Sequence, residues 1–317
     1  MSRYIFKRIL MMIPVVLGVI FIVFTMLYFT PGDPAKMILG YTARPEEVEA
    51  LREELGLNDP FFVQFGNYIK GLVLHGDLGT SFTTGKSVTD EIVSRFPTTL
   101  LLAILGVLVS TTLGIITGII SAIKQYSLFD YCATIFGFLG VSMPSFWLGL
   151  ILIIVFSVNL KWLPPSGFST PLHWILPAIT IGMGSAAIVM RMTRSSMLEV
   201  IRQDYIRTAK AKGLSNNKII FKHALRNALI PVITVVGLQF GNLLGGALVA
   251  ETIFSIPGIG KLMVDAIKER NYSMVEGGVL FIALAFSFSN LLVDVLYSFI
   301  DPRIRSQYKR KKGGLEA

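Results

Sequence analysis

The sequence predicts an all-α integral membrane protein with about six transmembrane helices. Two observations carry this. Hydrophobic residues make up 53% of the 317 positions and charged ones only 15%, where a soluble domain holds roughly 25% charged residues. The apolar residues also fall in blocks too long for an ordinary core. Residues 9–29 form 21 uncharged positions in a row, about 31 Å of helix against a hydrocarbon core of about 30 Å. Similar blocks lie at 100–123, 133–157, 174–190, 229–250 and 277–300. The fourth is short and starts close to Pro177. The third contains Pro144, which a membrane helix tolerates as a kink when neighbours satisfy the freed carbonyl.

The first block follows Arg3, Lys7 and Arg8, as a signal peptide would. A secretory apolar region is only about 7–15 residues long and ends at small residues. This one is longer and ends at Thr30, Pro31, Gly32, Asp33 and Pro34, so it reads as a retained first span. Six spans place both termini, the 2–3 loop and the 4–5 loop on one side, with 19 Lys and Arg. The opposite side holds 10, six of them in the long segment 31–97, which counts little toward orientation. The bias puts both termini in the cytoplasm.

Four regions follow. Residues 1–30 are the N-terminus and first span, 31–97 an extracytoplasmic insertion, 98–300 a core with five spans, and 301–317 a basic cytoplasmic tail. In the insertion, Arg44, Pro45, Glu46 and Glu47 start a helix, with proline in the first turn and acids near the positive dipole end. Val48, Leu51 and Leu55 recur on one face, and Gly56 stops the helix. The insertion fits equally a cap on the spans or a docking surface for an external partner.

Enzymatic signatures fail. Residues 79–87 resemble a phosphate-binding loop, but five residues separate Gly79 from Gly85 where that motif has four. No catalytic residue and no metal site is expected. Cys132 is the sole cysteine, and His75, His173 and His223 fall at different levels. The net charge of +9 fits cytoplasmic membrane loops and not nucleic-acid binding. Asp294 stands out as an intramembrane acid and, with Gln239 and Asn242 in the fifth span, is a pathway candidate. The preferred reading makes Asp294 a satisfied acid near the cytoplasmic end of the last span and Gln239 and Asn242 polar groups that join helices, with a pathway role as the alternative.

Small residues recur at helical spacing. Gly237, Gly241 and Gly245 form one row, flanked by Asn242, Gly246 and Ala250. Ser110, Gly114, Gly118 and Ala122 form another. Such rows admit close backbone approach, either within this chain or against a second subunit.

The loop 191–228 carries nine Lys and Arg and two acids. Its order exceeds what orientation requires. Leu198, Ile201, Tyr205 and Ala209 lie near one face of a helix beside basic residues, and Gly213 can end that helix at positive φ. Such a helix suits a groove on a soluble protein, or a surface of anionic lipid.

Here a family resemblance enters. Ala209, Lys210, Ala211, Lys212 and Gly213, with Ala228, Leu229, Ile230 and Pro231 downstream, resemble the "EAA" loop of importer-type ABC transporter permeases, in the dipeptide, oligopeptide and nickel branch. Supporting stretches lie at 30–34, 76–81, 224–228, 251–260 and 301–305, in one order along nearly the whole chain. Arg207 and Thr208 replace the Glu and Ala of the broad motif, and the proline lies farther from Gly213, which suits the peptide branch. The resemblance implies a type I importer permease forming half of a translocation pathway in a bacterial or archaeal plasma membrane. It implies ATPase coupling through Asp204, Tyr205, Arg207, Ala209, Lys210, Ala211 and Gly213. It further implies a second homologous permease, two cytoplasmic ATPase subunits holding ATP and Mg, an extracytoplasmic solute-binding protein, and peptide cargo. This chain itself would hold no cofactor. The alternative classes are an ion-coupled secondary transporter and a membrane scaffold.

Overall fold

The computed structural model describes residues 2–40 and 42–300; the tail expected at 301–317 and the side chain of Asp294 lie outside the described residues. Among the described residues five helices are long and apolar enough to cross a membrane, or six if one bent pair counts as a span. The described chain divides into two compact units, one of residues up to Thr99 with Pro257–Ala285, and one of Leu100–Ile256 with the described residues from Phe286 to Ile300.

The first unit begins with α1 (Ser2–Tyr28). Three short helices follow: α2 (Pro34–Leu39), α3 (Pro45–Glu54) and α4 (Phe61–His75). Asp33 caps α2 by accepting from Ala35 N at 3.1 Å and pairs with Arg52 at 2.6 Å, joining α2 to α3. The α3 helix starts at Pro45 and Gly56 follows at φ +65°, as expected. Val48 is buried, whereas Leu55 is exposed, so the apolar face is narrower than its spacing suggests. The α4 helix was not apparent in the sequence. It leans on α1 through Phe61 and Phe65, whose rings lie 5.5 and 5.3 Å from that of Phe24.

The insertion is not closed at residue 97. A turn over 79–87 leads directly into α5 (Val88–Ile123), a continuous helix of 36 residues. The turn is fixed by Asn271, which is buried and donates to Ser81 Oγ at 2.7 Å and Thr83 Oγ1 at 3.0 Å. It closes by backbone pairing of Thr80 with Ser87. Asn271 precedes α13 (Tyr272–Ile300) and follows α12 (Ile259–Lys268), an amphipathic helix that hydropathy does not reveal. Thr99 Oγ1 accepts from Ile259 N at 2.9 Å.

The second unit contains the rest of α5, then α6 (Leu128–Ser142) and α7 (Ser145–Leu152), which continues as a wider π-type turn over Ile153–Asn159. The α6 and α7 axes meet at 110°, a break and not the mild kink expected. Met143 is extended at φ −80°, ψ 126°, because a residue before proline is driven from the helical region and Pro144 brings no N–H. Next come α8 (Ile175–Ile201), α9 (Asp204–Ala211), α10 (Asn216–Lys218) and α11 (Leu225–Ile253). The fourth span, expected to end at 190, runs on to Ile201 and is the most enclosed of the candidate spans. Its Ala, Gly, Ser and Thr positions let neighbours approach from several sides.

The α5 and α8 helices approach each other closely. A Cβ at Gly114 would lie 2.6 Å from Val189 Cβ and 2.8 Å from Ala186 O; one at Gly118 would lie 2.6 Å from Thr193 Cβ. The seam is reciprocal, since a Cβ at Gly182 would fall 2.7 Å from Gly106 O. The row Ser110, Gly114, Gly118 and Ala122 is therefore an internal contact. The prediction is that Gly114→Leu lowers the thermal stability of the detergent-purified chain by at least the roughly 1–3 kcal/mol typical of overpacking. Gly66 in α4 has nothing within 4 Å of its added Cβ, so Gly66→Ala should be neutral or stabilising by about 0.5–1 kcal/mol through helix propensity. Equal melting temperatures for Gly114→Leu and the parent would refute the seam.

Candidate functional site

The chain leaves α8 at Arg202 and turns at Gln203, which is extended at φ −72°, ψ 151°. The expected single helix through Leu198, Ile201, Tyr205 and Ala209 is thus two helices, α8 and α9. Gln203 reorients the chain so that α9 folds back on its own spans. Asp204 sits in the first turn and Lys210 in the last, each complementary to the helix dipole. Gly213 follows at φ +76°, the left-handed stop expected from the sequence.

One face of α9 is buried in this chain. Ile206 is 0% exposed and Ala209 7%. They join a cluster with Ile119 and Ala122 of α5, Met197 of α8, Ile219 and Ala224 of a second π-type turn (Ile219–Ala224) between α10 and α11, and Ala228 of α11. Leu198 and Ile201 pack against the same cluster, but from α8. Burial of Ile206 alone is worth about 1.5–3 kcal/mol relative to exposure. The other face is open. Arg207, Thr208, Lys210, Ala211 and Gly213 are exposed, and Tyr205 partly so. Arg207 reaches Asp204 at 3.6 Å, with both side chains largely in solvent. The Tyr205 hydroxyl accepts from Asn227 Nδ2 at 2.8 Å, tying α9 to the start of α11. A docking role for the Ala209 methyl, expected from the sequence, conflicts with this placement: its contacts are already taken by its own chain.

The glycine row of α11 divides. A Cβ at Gly237 would meet Val293 at 2.5 Å, and one at Gly241 would meet Asn290 and Phe286 at 3.3 Å. These two pack on α13 of the same chain. Gly245 and Gly246 have nothing within 4 Å. With exposed Leu238 and Asn242 they form one open face of α11.

Among the pathway candidates, Gln239 is buried and accepts from Asn242 Nδ2 at 3.0 Å, while Asn242 itself is exposed. Asp294 is not the sole acid in a span. Asp130 lies in α6, Glu251 is fully buried in α11, and Glu276 is half-buried in α13. Sequence reading passed over all three. The signal for Asp130 was available only jointly with Arg194, 64 positions away. Asp130 receives Arg194 Nε on one oxygen and Arg194 Nη2 on the other, both at 2.9 Å. Ser121 Oγ also donates to it, and Tyr126 N does so at 3.0 Å.

The comparisons with known proteins agree with one another. The family model described as "Binding-protein-dependent transport system inner membrane component" matches residues 114–306, and the corresponding N-terminal model matches residues 1–103. The chain is 45% identical to the dipeptide transport system permease protein DppB of Alkalihalophilus pseudofirmus, over 96% of this chain and 100% of that one. It is 44% identical to the glutathione transport system permease protein GsiC of Escherichia coli (strain K12), over 96% and 99%. Two solved structures share the fold. An inward-facing MetNI methionine ABC transporter matches with TM-score 0.53 at 15% identity, over 66% of this chain and 96% of its own. An amino acid ABC transporter with histidines matches with TM-score 0.51 at 14% identity, over 68% and 94%. This chain belongs to the family of inner-membrane components of binding-protein-dependent transport systems, the ABC importer permeases.

Proposed function

We propose that this chain forms half of the translocation pathway of an importer for short peptides, with a second homologous permease as the other half. An extracytoplasmic binding protein delivers the cargo. Two cytoplasmic ATPase subunits hold ATP and Mg and perform the hydrolysis, so this chain needs no cofactor. Both termini and α9 face the cytoplasm, in keeping with the bias of short-loop Lys and Arg. The peptide reading draws on the identity to the dipeptide and glutathione permeases.

The observation that carries the mechanism is the two-faced α9. Its apolar face is fixed to the ends of α5, α8 and α11. Its polar face, with Asp204, Arg207, Thr208, Lys210 and Ala211, is free for an ATPase groove. A displacement of the ATPase therefore reaches three spans through one buried cluster. Docking by the outer face predicts that Arg207→Glu weakens or abolishes co-purification of the ATPases, because a reversed charge loses its partner and its water at the contact. Membrane insertion stays normal. Ala209→Glu acts differently: a carboxylate replaces a methyl inside the permease, and the chain itself loses stability. Normal ATPase recovery and normal cargo-stimulated hydrolysis with Arg207→Glu would eliminate the outer face as the docking surface.

The open face of α11 suits the second permease. Small residues there let two backbones approach in lipid, where packing and not hydrophobicity drives helix association. Gly245→Leu should lower recovery of the partner permease while leaving the melting temperature of this chain alone unchanged. Gly241→Leu should lower that melting temperature first. Parental pairing with Gly245→Leu would place the interface elsewhere.

A further inference from the structure

We propose that Arg194 and Asp130 are positioning residues that set the seat of α9. The inference rests on the reading of α9 as the ATPase-docking helix, and it deepens that reading.

The pair joins three segments. Asp130 opens α6, Arg194 lies in α8, and Ser121 lies near the end of α5. Arg194 Nε donates to both Asp130 and Ser121 Oγ at 2.9 Å. The short turn between α5 and α6 is drawn in as well. Tyr126, held at φ +61°, donates its N–H to Asp130, and Ser127 Oγ accepts from Asp130 N at 3.4 Å. The carboxylate therefore has four donors, two from the guanidinium fork, one hydroxyl and one backbone N–H. The Asp130 side chain is 6% exposed and that of Arg194 28%.

Its position is what gives the pair a role beyond holding helices together. Arg194 is one turn before Met197, and Ser121 stands beside Ala122 and two residues after Ile119. Met197, Ala122 and Ile119 are three of the residues against which Ile206 and Ala209 pack. The α6–α8 contact does not need the charges. Gly137 already meets Met190, and Gly140 meets Met183, with an added Cβ falling 3.0 and 3.2 Å away. Buried ion pairs are in general a weak source of net stability, because desolvation offsets the attraction; their directional bonds can instead fix one arrangement. Here those bonds fix the register of α5, α6 and α8 at the end that carries α9. A lysine at 194 cannot reproduce the fork, since an ammonium is a point charge.

The test uses Ala209→Cys in a Cys132→Ser background, with a membrane-impermeant maleimide applied to the purified permease. Two further changes are compared with the parent pair: Arg194→Lys, and the apolar double variant Asp130→Leu/Arg194→Met, which removes both charges together and so leaves none buried alone. Both should accumulate in the membrane. In both, the Ala209→Cys thiol should react several-fold faster. With Ala209 restored, the assembled transporter reconstituted with its ATPases and binding protein should show a several-fold lower ratio of cargo-stimulated to basal hydrolysis. Unchanged labelling in both variants would overturn the proposal. So would failure of both to accumulate, since the pair would then determine folding and not the seat. Faster labelling with a parental hydrolysis ratio would support the hold of the pair on α9 and refute α9 as the coupling element, which separates this inference from the reading beneath it.

Discussion

The rest of the second unit depends on the close approach of α5 and α8. In a bilayer, two helices gain no hydrophobic benefit from meeting, so contact must come from shape. Gly106, Gly114 and Gly118 on one side and Gly182 on the other remove the Cβ atoms that would hold the backbones apart. Thr180 and Thr193 return their hydroxyls to the carbonyls four residues earlier, at 2.8 Å in both cases, so these two hydroxyls of α8 are satisfied without a partner helix. The seam brings Ile119, Ala122 and Met197 to one end. That end is where α9 rests.

This geometry also fits the role proposed for the loop helix, which is packed on its own permease with one face exposed. An eight-residue helix is too short to be stable alone in water. Tertiary burial of Ile206 and Ala209 supplies what propensity cannot. The same burial leaves charged and polar residues on the outside, where a soluble protein can reach them. A loop bound only by its outer face would move without moving the spans. A helix anchored on α5, α8 and α11 would carry a displacement to all three together, as the proposed coupling to hydrolysis requires.

The spans were legible because apolar runs of bilayer length have few other readings. Their ends were not. Arg191 and Arg194 depress the hydropathy of α8, so the block looked finished at 190, yet Arg194 is paired with a carboxylate that local sequence cannot reveal. The first turns of α5 carry Asp90, Glu91 and Arg95 and resemble a loop for the same reason. The face of α9 was misjudged because a helical period was continued through Gln203, and one extended residue there is enough to change which side chains point inward. Gly213 as a stop and Pro45 as a start were readable because each acts through its own backbone. The division of the α11 glycines between an internal contact and an open face was not readable, because spacing is identical in both cases and only the position of α13 separates Gly241 from Gly245. Glu251, buried deep in α11, gave no local signal either.

The most direct measurement of the central claim is a structure of the assembled transporter with its ATPases, resolved well enough to place the side chains of α9. The account predicts that Arg207 and its exposed neighbours line the ATPase groove while Ile206 and Ala209 stay packed against Ile119, Ala122 and Met197. An α9 lifted from its own spans, with Ile206 and Ala209 inserted in the ATPase, would contradict it.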